Sequence, residues 1–281
     1  MAGIGVFDSG CPSEDTSIGP SGQIMRSFFR QPVVDVMACL ERLVLPARSR
    51  RPAGVLFVVL VSLIVTWFVY VPIHELLHVG GCVWTGGEVT RLELSPRYGA
   101  AFLSKIFPFI VSGSDYAGQL KGFDTKGSDL CYLATDFLPF VLTILIGVPL
   151  VKLAGRKRRP ILFGMAVVVG LAPFYNLPGD YFEMASIIVT RAVTMSGANP
   201  PAFVGIRSDD VFKLVGQLME QPGELGLVGA GPIAVAALLI IVAVGLSILL
   251  AFATYWAGHW FSRLVLHRYS PSPVGSRTRA G

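Results

Sequence analysis

Four long apolar stretches divide this chain of 281 residues. Val55 to Ile73, Ile161 to Pro178 and Leu225 to Ser262 carry no Asp, Glu, Lys or Arg, and Leu130 to Val151 carries only Asp136. A helix needs about 20 apolar residues, with 18 as a working lower limit, to cross the hydrocarbon core. The pattern therefore predicts an α-helical polytopic membrane protein with about four transmembrane helices, over residues 55–79, 130–151, 161–189 and 230–262. After the first span the period changes. A Gly-rich bend leads into Glu88-Val-Thr-Arg-Leu-Glu-Leu-Ser95, where apolar and polar residues alternate as in a half-buried strand. This predicts a small β-hairpin in the region 86–113. The continuation, Gly99 to Gly113, is apolar apart from Lys105 and contains Pro108. It is short for a span and is expected either to dip into the interface or to pair with the strand.

The flanks read differently. Residues 1–31 are rich in Gly, Ser and Pro without apolar periodicity, which predicts a disordered tail. Within residues 32–52, Val33 to Leu45 places apolar residues at helical spacing around Asp35, Glu41 and Arg42, as in a short helix on the inner membrane surface followed by a linker. Residues 53–190 form the expected core, 191–229 an outer loop, 230–262 the fourth span and 263–281 a second tail. The loop is too short for an independent substrate-binding domain. The first apolar run begins more than fifty residues in and lacks the layout of a cleaved secretory signal, so it is expected to act as a signal anchor.

Charge adds an orientation. Lys and Arg collect in short cytoplasmic segments, and four spans with both termini on one side place 15 of the 23 basic residues there, against 5 acids. Both termini are thus expected in the cytoplasm. The Arg156 to Arg159 cluster fits a stop signal near anionic lipid heads, and the net charge of +5 reflects topology rather than nucleic-acid binding. Only 15% of residues are charged and 53% are hydrophobic, which excludes an ordinary soluble domain. The four cysteines, Cys11, Cys39, Cys82 and Cys131, show no paired spacing for a disulfide framework or a thiolate metal site.

Chemistry enters through four acids inside the spans, Glu75, Asp136, Asp180 and Glu183, with no Lys or Arg among them. Each costs on the order of 2.5–3.5 kcal/mol at membrane depth, so either something cationic compensates or some of them are protonated. His74 and His78 stand at i and i+4 in His74-Glu75-Leu76-Leu77-His78, one turn apart on one helical face. That spacing lets one helix give a zinc ion two imidazole nitrogens, while the intervening glutamate serves as general base toward a water made more acidic by the metal. A third protein ligand must lie at the same depth. At about 1.5 Å per residue, His74, counted from Ala53, and Asp180, counted from Arg159, both lie about 31 Å from the cytoplasmic flank. Asp136, counted back from Lys152, comes to about 24 Å. Asp180 is the expected third ligand, with Glu183 one turn on as the other candidate. Asp136 is expected beside the ligands, at the substrate's path, or in a plain interhelical hydrogen bond. Pro178 and Gly179 loosen the helix before Asp180, as irregular backbone lining a cavity would. Trp67, Tyr70, Trp84, Tyr255, Trp256 and Trp260 read as interface anchors and packing, and Cys82 reads as core.

His74-Glu75-Leu76-Leu77-His78 in one span, a Gly-rich bend and strand after it, and Asn176-Leu177-Pro178-Gly179-Asp180 in a later span resemble the site-2 protease family, peptidase family M50. The resemblance covers roughly residues 55–189. It implies an intramembrane zinc endopeptidase acting on membrane-protein substrates, with one Zn2+ per chain held by His74, His78 and Asp180, Glu75 as base, and Asn176 and Pro178 presenting substrate. The interval from Asn176 to Asp180 is shorter than the family's, and the alternative expectation is a metal-binding membrane protein without peptidase activity, such as a transporter or a silent relative.

Overall fold

A computed structural model describes residues 20–44, 52–114, 116–195 and 206–267. The chain is a helical membrane protein carrying one small sheet. Among the described residues, three helices are long and apolar enough to cross a bilayer: Pro52–Trp84, Asp129–Lys157 and Ala230–Leu266.

The first of these, α2 (Pro52–Trp84), is apolar on nearly every face. Leu56, Phe57, Leu60, Ile64 and Phe68 stand exposed on its outside, as lipid-facing side chains do. Tyr70, His74, His78 and Cys82 recur every four residues and are buried, so one stripe of the helix faces the protein. The second crossing is assembled from α4 (Asp129–Phe137), a tight 3-10 turn (Leu138–Phe140), a wide π turn (Thr143–Gly147) and α5 (Val148–Lys157). Pro139 and Pro149 donate no backbone hydrogen bond, and changes of winding beside each absorb the defect. Ser128 caps α4, its hydroxyl accepting from the Cys131 amide at 3.2 Å.

The stretch 161–189 is the main departure from the expected spans. It forms no continuous helix but α6 (Pro160–Gly170), the single turn α7 (Ala172–Tyr175), a π turn (Leu177–Tyr181) and α8 (Phe182–Met195). Gly179 has non-helical backbone angles, and the helix breaks at Asn176-Leu-Pro-Gly. The last long helix, α10 (Ala230–His267), is apolar over most of its length and packs on α8 and α5.

The expected hairpin is a three-stranded sheet of order β2-β1-β3, with β1 at Glu88–Leu94, β2 at Ile110–Ser112 and β3 at Gly118–Asp124. Gly99 to Gly113 does pair with the first strand, but in parallel, Leu92 opposite Ile110. A two-residue hairpin turn cannot join parallel strands, and the single turn α3 (Ala100–Leu103) carries the chain back. The antiparallel partner is β3, with Glu88 opposite Asp124 and Leu94 opposite Gly118. Leu92 and Leu94 enter the core with Val71, Val79 and Ile110. Glu93 pairs with Lys121 at 2.6 Å and Arg91 at 2.7 Å, and the Lys121 ammonium above all holds its carboxyl below the usual carboxylate range.

The N-terminal helix, α1 (Pro20–Val44), is longer than the pattern predicts. It begins within the stretch expected to be a structureless tail, because proline fits the first turn of a helix and the later apolar residues find a seat. Residues 1–19 of that tail and 268–281 of the other lie outside the described residues. Instead of only lying on a membrane surface, α1 buries Cys39 and Leu43 against Val151, Ala154 and Phe163. Asp35 joins a half-buried polar group: its Oδ2 lies 3.1 Å from His259 Nδ1, accepts from the Tyr255 hydroxyl at 3.2 Å and is 3.9 Å from Lys152 Nζ. The expected outer loop contains α9 (Val211–Glu220), capped by Asp210.

Helices α2 and α4 touch backbone to backbone at Gly81, where an added Cβ would lie 2.9 Å from Thr135 Cα and closer still to the Ala134 carbonyl. No flexible side-chain tip is available to yield. Gly81→Ala should cost about 1–3 kcal/mol of stability and loosen the packing of α2 on α4, read as a lower thermal midpoint.

Candidate metal centre

One turn of α2 and the broken segment before α8 build the centre. His74 and His78 project from α2, and the π turn delivers Asp180 to them. His74 Nε2 lies 3.1 Å from His78 Nε2 and 3.1 Å from Asp180 Oδ2, and His78 Nε2 lies 3.7 Å from the same oxygen. This is the one group of three or more His, Cys, Asp or Glu among the described residues that could hold a metal ion. Tetrahedral zinc, with bonds of about 2.0–2.2 Å, separates neighbouring ligand atoms by about 3.3–3.5 Å. The three observed separations bracket that spacing.

The outer nitrogens fix what the inner ones can do. His78 Nδ1 lies 2.9 Å from the Thr135 carbonyl oxygen, which only accepts, so Nδ1 carries the proton and donates it. In neutral His78, Nε2 is then a bare lone pair pointing at His74 and Asp180. His74 Nδ1 is bonded to the Tyr70 hydroxyl at 2.9 Å. Such partners orient metal-binding imidazoles and fix their tautomer. With the His74 proton on Nδ1 toward the Tyr70 oxygen, two acceptor nitrogens and a carboxylate oxygen face one another; with it on Nε2, His74 donates to Asp180 instead. In the first form the donor set fits a divalent ion.

His74, His78 and Asp180 open onto a cavity of about 770 Å³. Glu75, between the two histidines, lines it and packs against Gly118 of β3, where any Cβ would collide with the glutamate side chain. Asn176, Pro178, Asp136 and Glu183 line the same cavity. Asn176 donates from Nδ2 to the Ala172 carbonyl at 3.1 Å and so ties off the end of α7. Glu183 is not part of the ligand group and accepts from the Tyr132 hydroxyl. Asp136 is 4% exposed, and its Oδ2 has no hydrogen-bond partner among the described residues. It makes no interhelical hydrogen bond there.

Sequence reasoning missed Tyr70 and Thr135. Tyr70 stands one turn before His74, a signal hidden by its reading as an interface anchor, and it is 4% exposed. Thr135 acts through its backbone carbonyl, which no residue type announces. Tyr255 is likewise buried and Trp256 donates to the Phe28 carbonyl at 3.0 Å, whereas Trp84 and Trp260 are exposed as anchors would be. Cys82 is fully buried, as core. The chain matches no protein-family model, no curated protein and no solved structure.

Proposed function

We propose that the chain is an intramembrane zinc-dependent endopeptidase of the site-2 protease type, hydrolysing peptide bonds of membrane-protein substrates. The observation that carries this reading is the meeting of His74, His78 and Asp180 from two distant segments, with Glu75 on the same turn and the same cavity. His74, His78 and Asp180 would hold one zinc ion. Bound there, zinc supplies a Lewis acid that polarises a carbonyl and raises the acidity of water. Glu75 accepts the proton from the attacking water and returns it to the leaving amine. Tyr70 and the Thr135 carbonyl keep both imidazoles turned inward. The sheet supports substrate binding: β3 is an edge strand, and its Gly118, Gln119 and Leu120 line the cavity beside Glu75. An unwound substrate segment can add to that edge through main-chain hydrogen bonds.

The arrangement in the bilayer belongs to the same proposal. Pro160 to Met195 makes a fourth, broken crossing, and both termini face the cytoplasm, which sets the metal near the extracytoplasmic side. Broken backbone at that depth is tolerated where it lines a cavity, and Asn176 to Asp180 do so apart from Leu177. The test uses the purified full chain in lipid vesicles with a membrane-spanning peptide. It should contain about one zinc per chain, lose cleavage to a membrane-permeant chelator and regain it with zinc. A chain that binds zinc stoichiometrically but cleaves none of a broad set of membrane-spanning peptides would be a metal-binding protein of another kind.

A further inference from the structure

Two of the four intramembrane acids remain unmatched once the metal centre is assembled. Resting on the endopeptidase reading, the two charges of the zinc ion are balanced by Asp180 and Glu75. Asp136 and Glu183 have no cation of their own among the described residues. Arg207, which also lines the cavity, is committed to Asp129 at 2.9 Å and 3.3 Å, and Lys213 pairs with Asp209 at 3.9 Å. A second metal ion does not answer the need, because their carboxylates do not join a third ligand closely enough to share one. A larger organic cation does.

We propose that Tyr132, Asp136 and Glu183 form a subsite for the guanidinium or ammonium group of an arginine or lysine that the substrate carries inside its membrane-spanning segment. Tyr132 and Asp136 stand one turn apart on α4 and so share a face, and Glu183 meets them from the first turn of α8. All three line the cavity that holds Glu75. Asp136 is the second, independent pointer to a ligand. It is more than nine-tenths buried, with one carboxylate oxygen shut away and unpartnered. The Tyr132 hydroxyl occupies one oxygen of Glu183, and the Tyr132 ring packs edge-on to Phe123 at 5.2 Å. Two carboxylates beside aromatic rings are the surroundings in which a guanidinium gains both charge-assisted hydrogen bonds and ring contacts. A cationic substrate residue would bring into the bilayer the charge that these two acids lack. An arginine or lysine near one end of a span is a common feature of membrane proteins, since its long stem lets the charge reach the interface.

Binding can be read without cleavage. Full-length Glu75→Gln protein is placed in phosphatidylglycerol vesicles, whose headgroups bring no amine. A series of photo-crosslinkable membrane-spanning peptides carries one Arg at successive positions of its outer half, each with a Gln counterpart. At one position the Arg peptide should bind about tenfold or more tightly than its Gln counterpart. Asp136→Asn with Glu183→Gln should bring that ratio close to one, while zinc content shows that the site is still built. Equal affinities at every position overturn the proposal, as does a preference that survives the double substitution. Cleavage by the unchanged protein without an Arg preference would remove the subsite and keep the peptidase. An Arg preference in a protein that cleaves nothing would do the reverse.

Discussion

Glu75→Gln should lower cleavage of a membrane substrate by about 10²–10⁴-fold, the range expected for loss of a general base, while leaving the zinc content unchanged. The substitution keeps the shape of the side chain, so the contact with Gly118 and the path of β3 persist. It removes the capacity to take a proton from water. A Glu75→Ala comparison should lose a similar amount of activity, with some disturbance of the sheet added. Retained cleavage in Glu75→Gln, with zinc present, would remove Glu75 from the chemistry and with it the reading of the motif as catalytic.

The second large effect concerns the ligands. His78→Ala should empty the site, because it removes one of three donors and also leaves the Thr135 carbonyl without its partner at 2.9 Å. Asp180→Asn tests the choice between the two acids that the sequence left open. It should lower zinc content from about one per chain to a small fraction, whereas Glu183→Gln should keep the ion, since Glu183 lies outside the ligand group. Metal analysis of the two purified variants decides it, and the opposite result would make Glu183 the third ligand.

Much of this site was legible before any coordinates. His74 and His78 at i and i+4 declare a shared face by helical periodicity alone. The depth count put Asp180 level with them, and its Oδ2 lies 3.1 Å from His74 Nε2. The count succeeded although the path from Pro160 is broken, because the breaks fall within the last three turns before Asp180. What escaped notice works through the backbone. The carbonyl of Thr135 orients His78, and the missing Cβ of Gly81 permits the approach that brings it there. The third strand, Gly118-Gln-Leu-Lys-Gly-Phe-Asp, holds two glycines and little β-branched character, so it gains its order from β1 and not from its own propensity. The length of α1 escaped for a similar reason, since its partners are far away in the chain.

That distance has a consequence for how the molecule is made. Asp35 meets His259 across 224 positions of sequence. Synthesis makes α1 long before α10, so Asp35, which accepts from Gln31 of its own helix at 3.0 Å, gains Lys152 and then His259 only as later helices arrive. His74 and Asp180, separated by 106 positions, can come together before that. The meeting of α1 with α10 therefore comes late in assembly, after the segments that carry His74, His78 and Asp180 have been made.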